Sequence, residues 1–308
     1  MLWIYIASLI IGFVLLVKGS DYFVDGAAGF ATKAGIPQLV IGLTIVAMGT
    51  SVPEAAVSIT AAFSGNTDIT IGNIVGSNIL NVFLILGISS VIVSLAVART
   101  TIRYEIPYMI FCTLLLLFLG RDGGITRWDG LALWIAFLLY LGYLFLQARK
   151  NREDGNYESK EKVWKLVIYM LGGIAAIVAG SKFAVYGATE LARLWGISER
   201  VIGLTIVALG TSLPELFTSV VAARKKNADI AIGNIVGSNI FNILFVVGTS
   251  SLLARVPFEP HFMMDTVIAI GAGLVLLLCS LPKKRLGRAG GSIMLLCYAG
   301  YLAYLFIF

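Results

Sequence analysis

Glu54 and Glu215 each close a hexapeptide of one pattern, Gly49-Thr50-Ser51-Val52-Pro53-Glu54 and Gly210-Thr211-Ser212-Leu213-Pro214-Glu215, in the middle of a long apolar run. At the centre of a bilayer an acidic side chain costs at least about 2.5–3.5 kcal/mol, so it persists when protonated, paired with a base or bound to a cation. No lysine or arginine lies near the middle of either patch. A cation is therefore the partner these residues ask for. Two carboxylates brought together by symmetry would repel each other unless a cation sat between them.

Thr50 precedes Glu54 by four residues and Thr211 precedes Glu215 by four, which on an unbroken helix puts hydroxyl and carboxylate on one face. Ser77 with Asn81, and Ser238 with Asn242, repeat that spacing on the following runs. The expected shell is carboxylate, hydroxyl, amide and main-chain oxygen, without His, Cys or Met. Such a set suits hard cations, Ca2+ and Na+, and disfavours Zn, Cu and Fe. Two negative charges at one centre favour a divalent ion. The prolines supply the main-chain oxygens: Pro53 and Pro214 lack an N–H and clash with the carbonyl four residues back, at Gly49 and Gly210. One such proline alone reads as a simple kink. Twice over, between hydroxyls and a glutamate, it reads as a break whose freed carbonyls line a protein cavity, since they cannot face lipid.

The elements that hold these residues follow from composition. Of 308 residues 58% are apolar and 13% charged, about half the charge of a soluble domain. Too few polar residues remain to cover one soluble core, and a disordered chain, a disulfide scaffold and a nucleic-acid-binding domain are excluded with it. Cys112, Cys279 and Cys297 lie in apolar runs without paired spacing and read as ordinary helix- or lipid-facing residues. Ten apolar runs approach the roughly 20 residues needed to cross a bilayer, at 2–30, 38–63, 69–97, 104–119, 130–147, 164–188, 200–223, 230–253, 262–281 and 290–308. The opening MLWIYIASLIIGFVLLV lacks a positive leader and reads as a retained first span, tilted, with Lys18 and Asp21 pairing at i, i+3. Of the 23 basic residues 17 fall in odd-numbered loops, which puts those loops in the cytoplasm and both termini outside. Glu105 and Asp265 read as span-end residues solvated by headgroups and water, and His261 as interfacial.

Sliding the sequence on itself gives one dominant match, at an offset of 161 residues. Residues 41–54 return as 202–215 with 12 of 14 identical, and residues 72–81 return as 233–242 with 9 of 10 identical. Five spans separate each residue from its copy, an odd number, so equivalent helices run in opposite directions. The expected fold is an all-α integral membrane protein of ten transmembrane helices, built as two inverted five-helix repeats: residues 1–147, a cytoplasmic linker at 148–163, and residues 164–308. That is the architecture of alternating-access carriers, with the site at the midplane where the halves meet. The Gly72/Gly76 and Gly233/Gly237 pairs read as small faces that let the ligand helices approach closely.

At these residues the chain resembles the Ca2+/cation antiporter superfamily. GTSVPE with GNIVGSNILN, and GTSLPE with GNIVGSNIFN, look like its two signature repeats, nearest to prokaryotic Na+/Ca2+ exchangers. The resemblance implies that Glu54 and Glu215 are the central Ca2+ ligands, helped by the main-chain carbonyls of Thr50 and Thr211. It implies Na+ sites from the same glutamates, the carbonyls of Ala47 and Ala208, and the hydroxyls of Thr50, Ser51, Ser77, Thr211, Ser212 and Ser238. Asn81 and Asn242 complete the cluster, and the first and sixth spans slide across this core. Several relatives carry aspartate at the position of Asn242, notably K+-dependent ones, so the amide argues against K+ co-transport. Proton-coupled relatives carry a Gly-Asn-x-x-Glu-type motif in place of Gly-Thr-Ser-x-Pro-Glu, which favours Na+ as counter-ion.

The expected function is thus a non-enzymatic Na+/Ca2+ antiporter of the cell membrane. Ca2+ and Na+ are its cargo, with no cofactor, nucleic acid or protein partner implied. A H+/Ca2+ exchanger stays open, because an empty carboxylate pair readily takes protons. So does a Ca2+-permeable channel, although channels usually build their pore from oligomeric rings.

Overall fold

The computed structural model describes residues 2–65, 67–150, 161–196 and 208–307. Backbone polar groups cannot be left unpaired in lipid, so apolar runs of this length fold as helices. Those found are α1 (Leu2–Ala34), α2 (Gln38–Thr50), α3 (Val52–Phe63), α4 (Ile69–Ile92), α5 (Thr101–Gly120) and α6 (Arg127–Lys150). They continue as α7 (Val163–Leu194), α8 (Ala208–Thr211), α9 (Leu213–Arg224), α10 (Ala228–Leu253), α11 (Pro260–Ser280) and α12 (Arg288–Ile307). Among the described residues seven helices are individually long and apolar enough to span a membrane, and α2 with α3 makes an eighth, bent by 51°. Part of the seventh predicted run, 200–207, lies outside the described residues.

The layering follows from burial. Within their most apolar stretches α4 is 78% and α10 94% buried, against 22% for α1 and 28% for α7. The inner pair α4 and α10 carries the repeated GNIVGSN patches. Gly233 and Gly237 seat α10 on α2: a Cβ at Gly237 would stand 2.7 Å from the Leu43 carbonyl oxygen, and one at Gly233 would stand 3.0 Å from that of Leu39. Gly72 meets the Phe262 ring instead.

The third run ends earlier than expected. Helix α4 stops at Ile92, Val93 is extended (φ −137°, ψ 124°), and Leu95–Ala96 forms β1. It pairs antiparallel with β4 (Arg285–Leu286), and β2 (Gly124–Ile125) pairs with β3 (Val256–Pro257). Each two-residue ladder joins the first half of the chain to the second, at opposite ends of α5. Periodicity does not distinguish so short an apolar strand from the helix it follows.

Helices α1 and α7 pack antiparallel along glycines spaced by seven, Gly12, Gly19 and Gly26 against Gly173, Gly180 and Gly187. A Cβ at Gly19 would lie 2.9 Å from the Gly173 carbonyl oxygen, one at Gly180 2.8 Å from that of Gly12, and one at Gly187 2.6 Å from that of Tyr5. The backbones therefore touch, as in membrane helix pairs joined by dispersion and not by a hydrophobic drive. The expected Lys18–Asp21 pair is not formed; Lys18 sits exposed within α1 and not in a loop. Asp21 and Asp25 instead take Lys225 from the end of α9, whose ammonium lies 3.4 and 2.8 Å from their carboxylates and 3.0 Å from the Asp21 carbonyl. One cation that meets two carboxylates and a carbonyl outcompetes a single neighbour on the same helix.

Adding a methyl to the seam is expected to destabilise. Gly180→Ala or Gly19→Ala should cost about 1–3 kcal/mol, read as a lower thermal midpoint in detergent. Gly142→Ala, where nothing lies within 4 Å, should leave the midpoint unchanged or raise it.

Candidate cation-binding site

Both polar hexapeptides break the helix at their serine. Ser51 (φ −81°, ψ 9°) separates α2 from α3, and Ser212 (φ −91°, ψ 3°) separates α8 from α9. Pro53 and Pro214 then fall in the first turn of the new helix, where a missing N–H costs nothing. The same turn holds Glu54 and Glu215, where the positive end of the helix dipole favours a carboxylate. A serine at such a start ordinarily caps its own helix. Neither does so here. Ser51 Oγ donates across to Glu215 Oε1 at 2.8 Å, and Ser212 Oγ donates to Glu54 Oε1 at 3.2 Å.

This exchange ties the two halves together through their carboxylates. Glu54 and Glu215 are both fully buried, and they stand close enough for like-charge repulsion. Among the described residues no basic side chain pairs with either. Each keeps one oxygen, Oε2, buried and without a hydrogen-bond donor.

Two asparagine systems hold the surroundings. Asn73 Nδ2 donates to Ser58 Oγ at 2.9 Å and to the Glu54 carbonyl at 3.3 Å, while Asn234 Nδ2 donates to Ser219 Oγ at 2.9 Å and to the Glu215 carbonyl at 3.4 Å. They brace the backbone at the carboxylates. At the crossing of α4 and α10, Asn78 and Asn239 each donate to the other's main-chain carbonyl, at 3.2 and 3.1 Å. Their side-chain oxygens then accept the amides of Asn242 (3.1 Å) and Asn81 (3.0 Å). With those amide nitrogens taken, Asn81 Oδ1 and Asn242 Oδ1 are left as buried acceptors without donors. Asn81 and Asn242 also each begin a π-helical stretch, Asn81–Leu86 and Asn242–Val247; such local widening recurs at functional positions.

The remaining expected residues gather here too. Ser77 Oγ lies 3.4 Å from Ser212 Oγ, and Ser238 Oγ donates to the Ala47 carbonyl at 3.3 Å. Thr50 Oγ1 donates to Asn234 Oδ1 at 2.9 Å, and the Thr211 hydroxyl lies beside the Glu54 carboxylate. Ala208 opens α8, and its side chain lies outside the described ones. Two carboxylate oxygens and two amide oxygens, all buried acceptors lacking donors, are a set that could hold a hard cation and does not suit a softer one. Every such group in a native structure calls for a cause, and an ion is one partner that acceptors could take here.

Asn73, Asn78, Asn234, Asn239, Ser58 and Ser219 were missed as site builders. Four of these sit inside the repeated GNIVGSN patches and all six recur at the 161-residue offset; an i−4 spacing runs along one helix and carries no sign of bonds between helices. Ser181, whose hydroxyl donates to the Gly210 carbonyl at 2.6 Å, carried no comparable signal. Glu105 departs from expectation as well: it is fully buried, not solvated, and accepts from the Tyr143 hydroxyl at 2.7 Å.

Known proteins resemble this chain along its whole length. The family described as sodium/calcium exchanger protein matches residues 4–146 and again 165–307. CaxA of Alkalimonas amylolytica is 38% identical over 309 residues, which cover 96% of this chain and 97% of that protein. Sodium/calcium exchanger MaX1 of Methanosarcina acetivorans is 32% identical, with 97% of each chain covered. The sodium-calcium exchanger NCX_Mj, soaked with zero Na+ and Ca2+, superposes with a TM-score of 0.88 at 32% identity, covering 99% of this chain and all of that one. With both halves matched and the fold shared end to end, the chain belongs to the sodium/calcium exchanger family of the Ca2+/cation antiporter superfamily, a family of multi-pass membrane transporters.

Proposed function

We propose that this chain exchanges Na+ for Ca2+ by alternating access, with both ions competing for Glu54 and Glu215. One observation carries the reading: two buried carboxylates with no base paired to them among the described residues, each held by the other half's serine and each with one oxygen lacking a donor. A pair with two negative charges balances one Ca2+. Loading Na+ on the same carboxylates displaces Ca2+, and that competition couples the fluxes. Ca2+ takes the two glutamates with the main-chain carbonyls of Thr50 and Thr211. Na+ takes the glutamates with the carbonyls of Ala47 and Ala208 and the hydroxyls of Thr50, Ser51, Ser77, Thr211, Ser212 and Ser238, with Asn81 and Asn242 completing the shell.

The wider frame is ten spans in two inverted halves, 1–147 and 164–308, joined by a cytoplasmic linker at 148–163, with both termini outside the cell. The family match supports it, because its two segments are themselves offset by 161 residues. So does the exchange of bonds between equivalent residues, Ser51 with Glu215 and Ser212 with Glu54. The antiparallel glycine seam joins α1 to α7, and the joined pair slides over the core. Transport of Ca2+ against Na+ in the relatives named sodium/calcium exchanger is the basis for choosing Na+ over H+.

In proteoliposomes, isotopic Ca2+ uptake should follow an outward Na+ gradient. Glu54→Gln and Glu215→Gln should each reduce it to background. Uptake that ignores Na+ but follows a pH gradient would make the protein a H+/Ca2+ exchanger, and flux without any counter-ion would make it a channel. If more than two Na+ replace each Ca2+, uptake should also respond to voltage, since one net charge crossing the full potential is worth about 2.3 kcal/mol per 100 mV.

Ser51→Ala and Ser212→Ala test the hydroxyls. Each removes a hydrogen bond to a carboxylate, worth about 1.5–3 kcal/mol. The Na+ concentration for half-maximal exchange should rise about tenfold or more in both variants, with a smaller change for Ca2+. Equal changes for both ions would count against hydroxyls as Na+ ligands.

A further inference from the structure

The glycine-joined pair of α1 and α7 is not centred over the two halves. Helix α1 lies along α9, with the Phe13 ring 5.9 Å from that of Phe217. Inverted symmetry relates this contact to one between α7 and α3, and there the helices barely meet. Ile174 and Ala56 stand at the positions equivalent to Phe13 and Phe217. The pair thus leans toward α9, the core helix that carries Glu215.

That lean is tied down where α9 ends. Lys225 caps the helix, and the amides of Lys225, Lys226 and Asn227 turn back onto the carbonyls of Val221, Ala223 and Ala222 at 2.9–3.0 Å. With its last turn closed on itself, α9 stops beside α1. An ammonium has three N–H donors, and that of Lys225 meets three acceptors: the Asp25 carboxylate at 2.8 Å, the Asp21 carboxylate at 3.4 Å and the Asp21 carbonyl at 3.0 Å. Asp21 and Asp25 lie one turn apart on α1, where like charges repel. Removing the Lys225 charge therefore ends two attractions and restores a repulsion. The second half can form no counterpart, because Lys182, Tyr186 and Ser64 occupy the equivalent positions.

From this geometry we propose that Lys225, Asp21 and Asp25 form a one-sided latch, which favours the arrangement seen here over its inverse. In the inverse arrangement α7 lies on α3 and α1 has left α9, so Asp21 and Asp25 are carried away from Lys225. The latch rests on the alternating-access reading above and adds to it the residues that set the balance between the two arrangements.

Spin labels at Val14→Cys on α1 and Phe63→Cys on α3, two exposed positions, follow the pair by double electron–electron resonance. The full-length protein is held in lipid nanodiscs, with its three native cysteines replaced by alanine. Two distances are expected. Lys225→Gln should lower the ratio of the arrangement seen here to its inverse about three- to tenfold, and Lys225→Arg should keep it. Asp21→Asn/Asp25→Asn should move the ratio the same way, and adding Lys225→Gln to that variant should change nothing further. A ratio unmoved by Lys225→Gln, a further shift in the triple variant, or a single distance with and without Lys225 would each overturn the latch. Should the labelled protein not fold, unlabelled protein in proteoliposomes replaces it. There Lys225→Gln should lower the Ca2+ concentration for half-maximal uptake at one membrane face and raise it at the other, the mark of a shifted balance. No change, or equal changes at both faces, would count Lys225 as merely structural and overturn the proposal. Na+-driven Ca2+ uptake by the native protein bears on the exchange reading alone.

Discussion

Two like charges have to be held side by side in a medium that repels each of them. Everything near the centre of this protein answers that constraint. The effective dielectric inside a protein is low, so the repulsion between Glu54 and Glu215 is far stronger there than in water, and among the described residues no lysine or arginine pairs with either. What the fold supplies is partial compensation from neutral groups: a serine hydroxyl from the opposite half on each carboxylate and the start of a helix beneath each. Neutral donors cannot cancel a full charge. In the proposed exchange, the deficit left over is what draws a cation to the pair, and a compensating arginine would abolish it.

The break in each helix follows from the same need. On an unbroken helix Ser51 would sit one turn before Glu54 on the same face, its hydroxyl drawn to its own backbone. Opening the helix at Ser51 and Ser212 turns both side chains out of the ladder and toward the other half. The asparagines then fix what the break loosens. Asn73 and Asn234 hold the glutamate carbonyls, and the Asn78–Asn239 exchange fixes which end of Asn81 and Asn242 faces inward. In that chain of bonds each polar atom spent on structure leaves a specific oxygen unspent.

Much of this was legible in the residues. An acidic side chain after a proline, in an apolar run, twice, at one offset, needs no coordinates to be read as a paired site, and the oxygen-only neighbourhood follows from Thr50, Ser77 and Asn81 and their copies. What the residues could not show depends on contacts between helices. The glycines of α1 and α7 are spaced by seven, yet among so many glycines the spacing means nothing until the two helices are seen to touch. Lys225 reads as one more basic loop residue; that it reaches Asp21 and Asp25 depends on where α9 ends against α1. Glu105 sits near a span end by counting, and counting does not reveal that tyrosines from α6 cover it.

The contacts fall into two kinds with different consequences. Those of the glycine seam, the paired glutamates and the asparagine exchange recur at the 161-residue offset, and so they have equivalents in both halves. The Lys225 clasp does not recur: Asp21, Asp25 and Lys225 correspond to Lys182, Tyr186 and Ser64, which can form no such ion pairs. Likewise Ser181 bonds the Gly210 carbonyl while its equivalent Ser20 has no partner. If two halves exchange conformations, contacts of the first kind are present before and after and cancel in the comparison. Any free-energy difference between the two arrangements must then come from the second kind, so the residues that set it are those the repeat does not share.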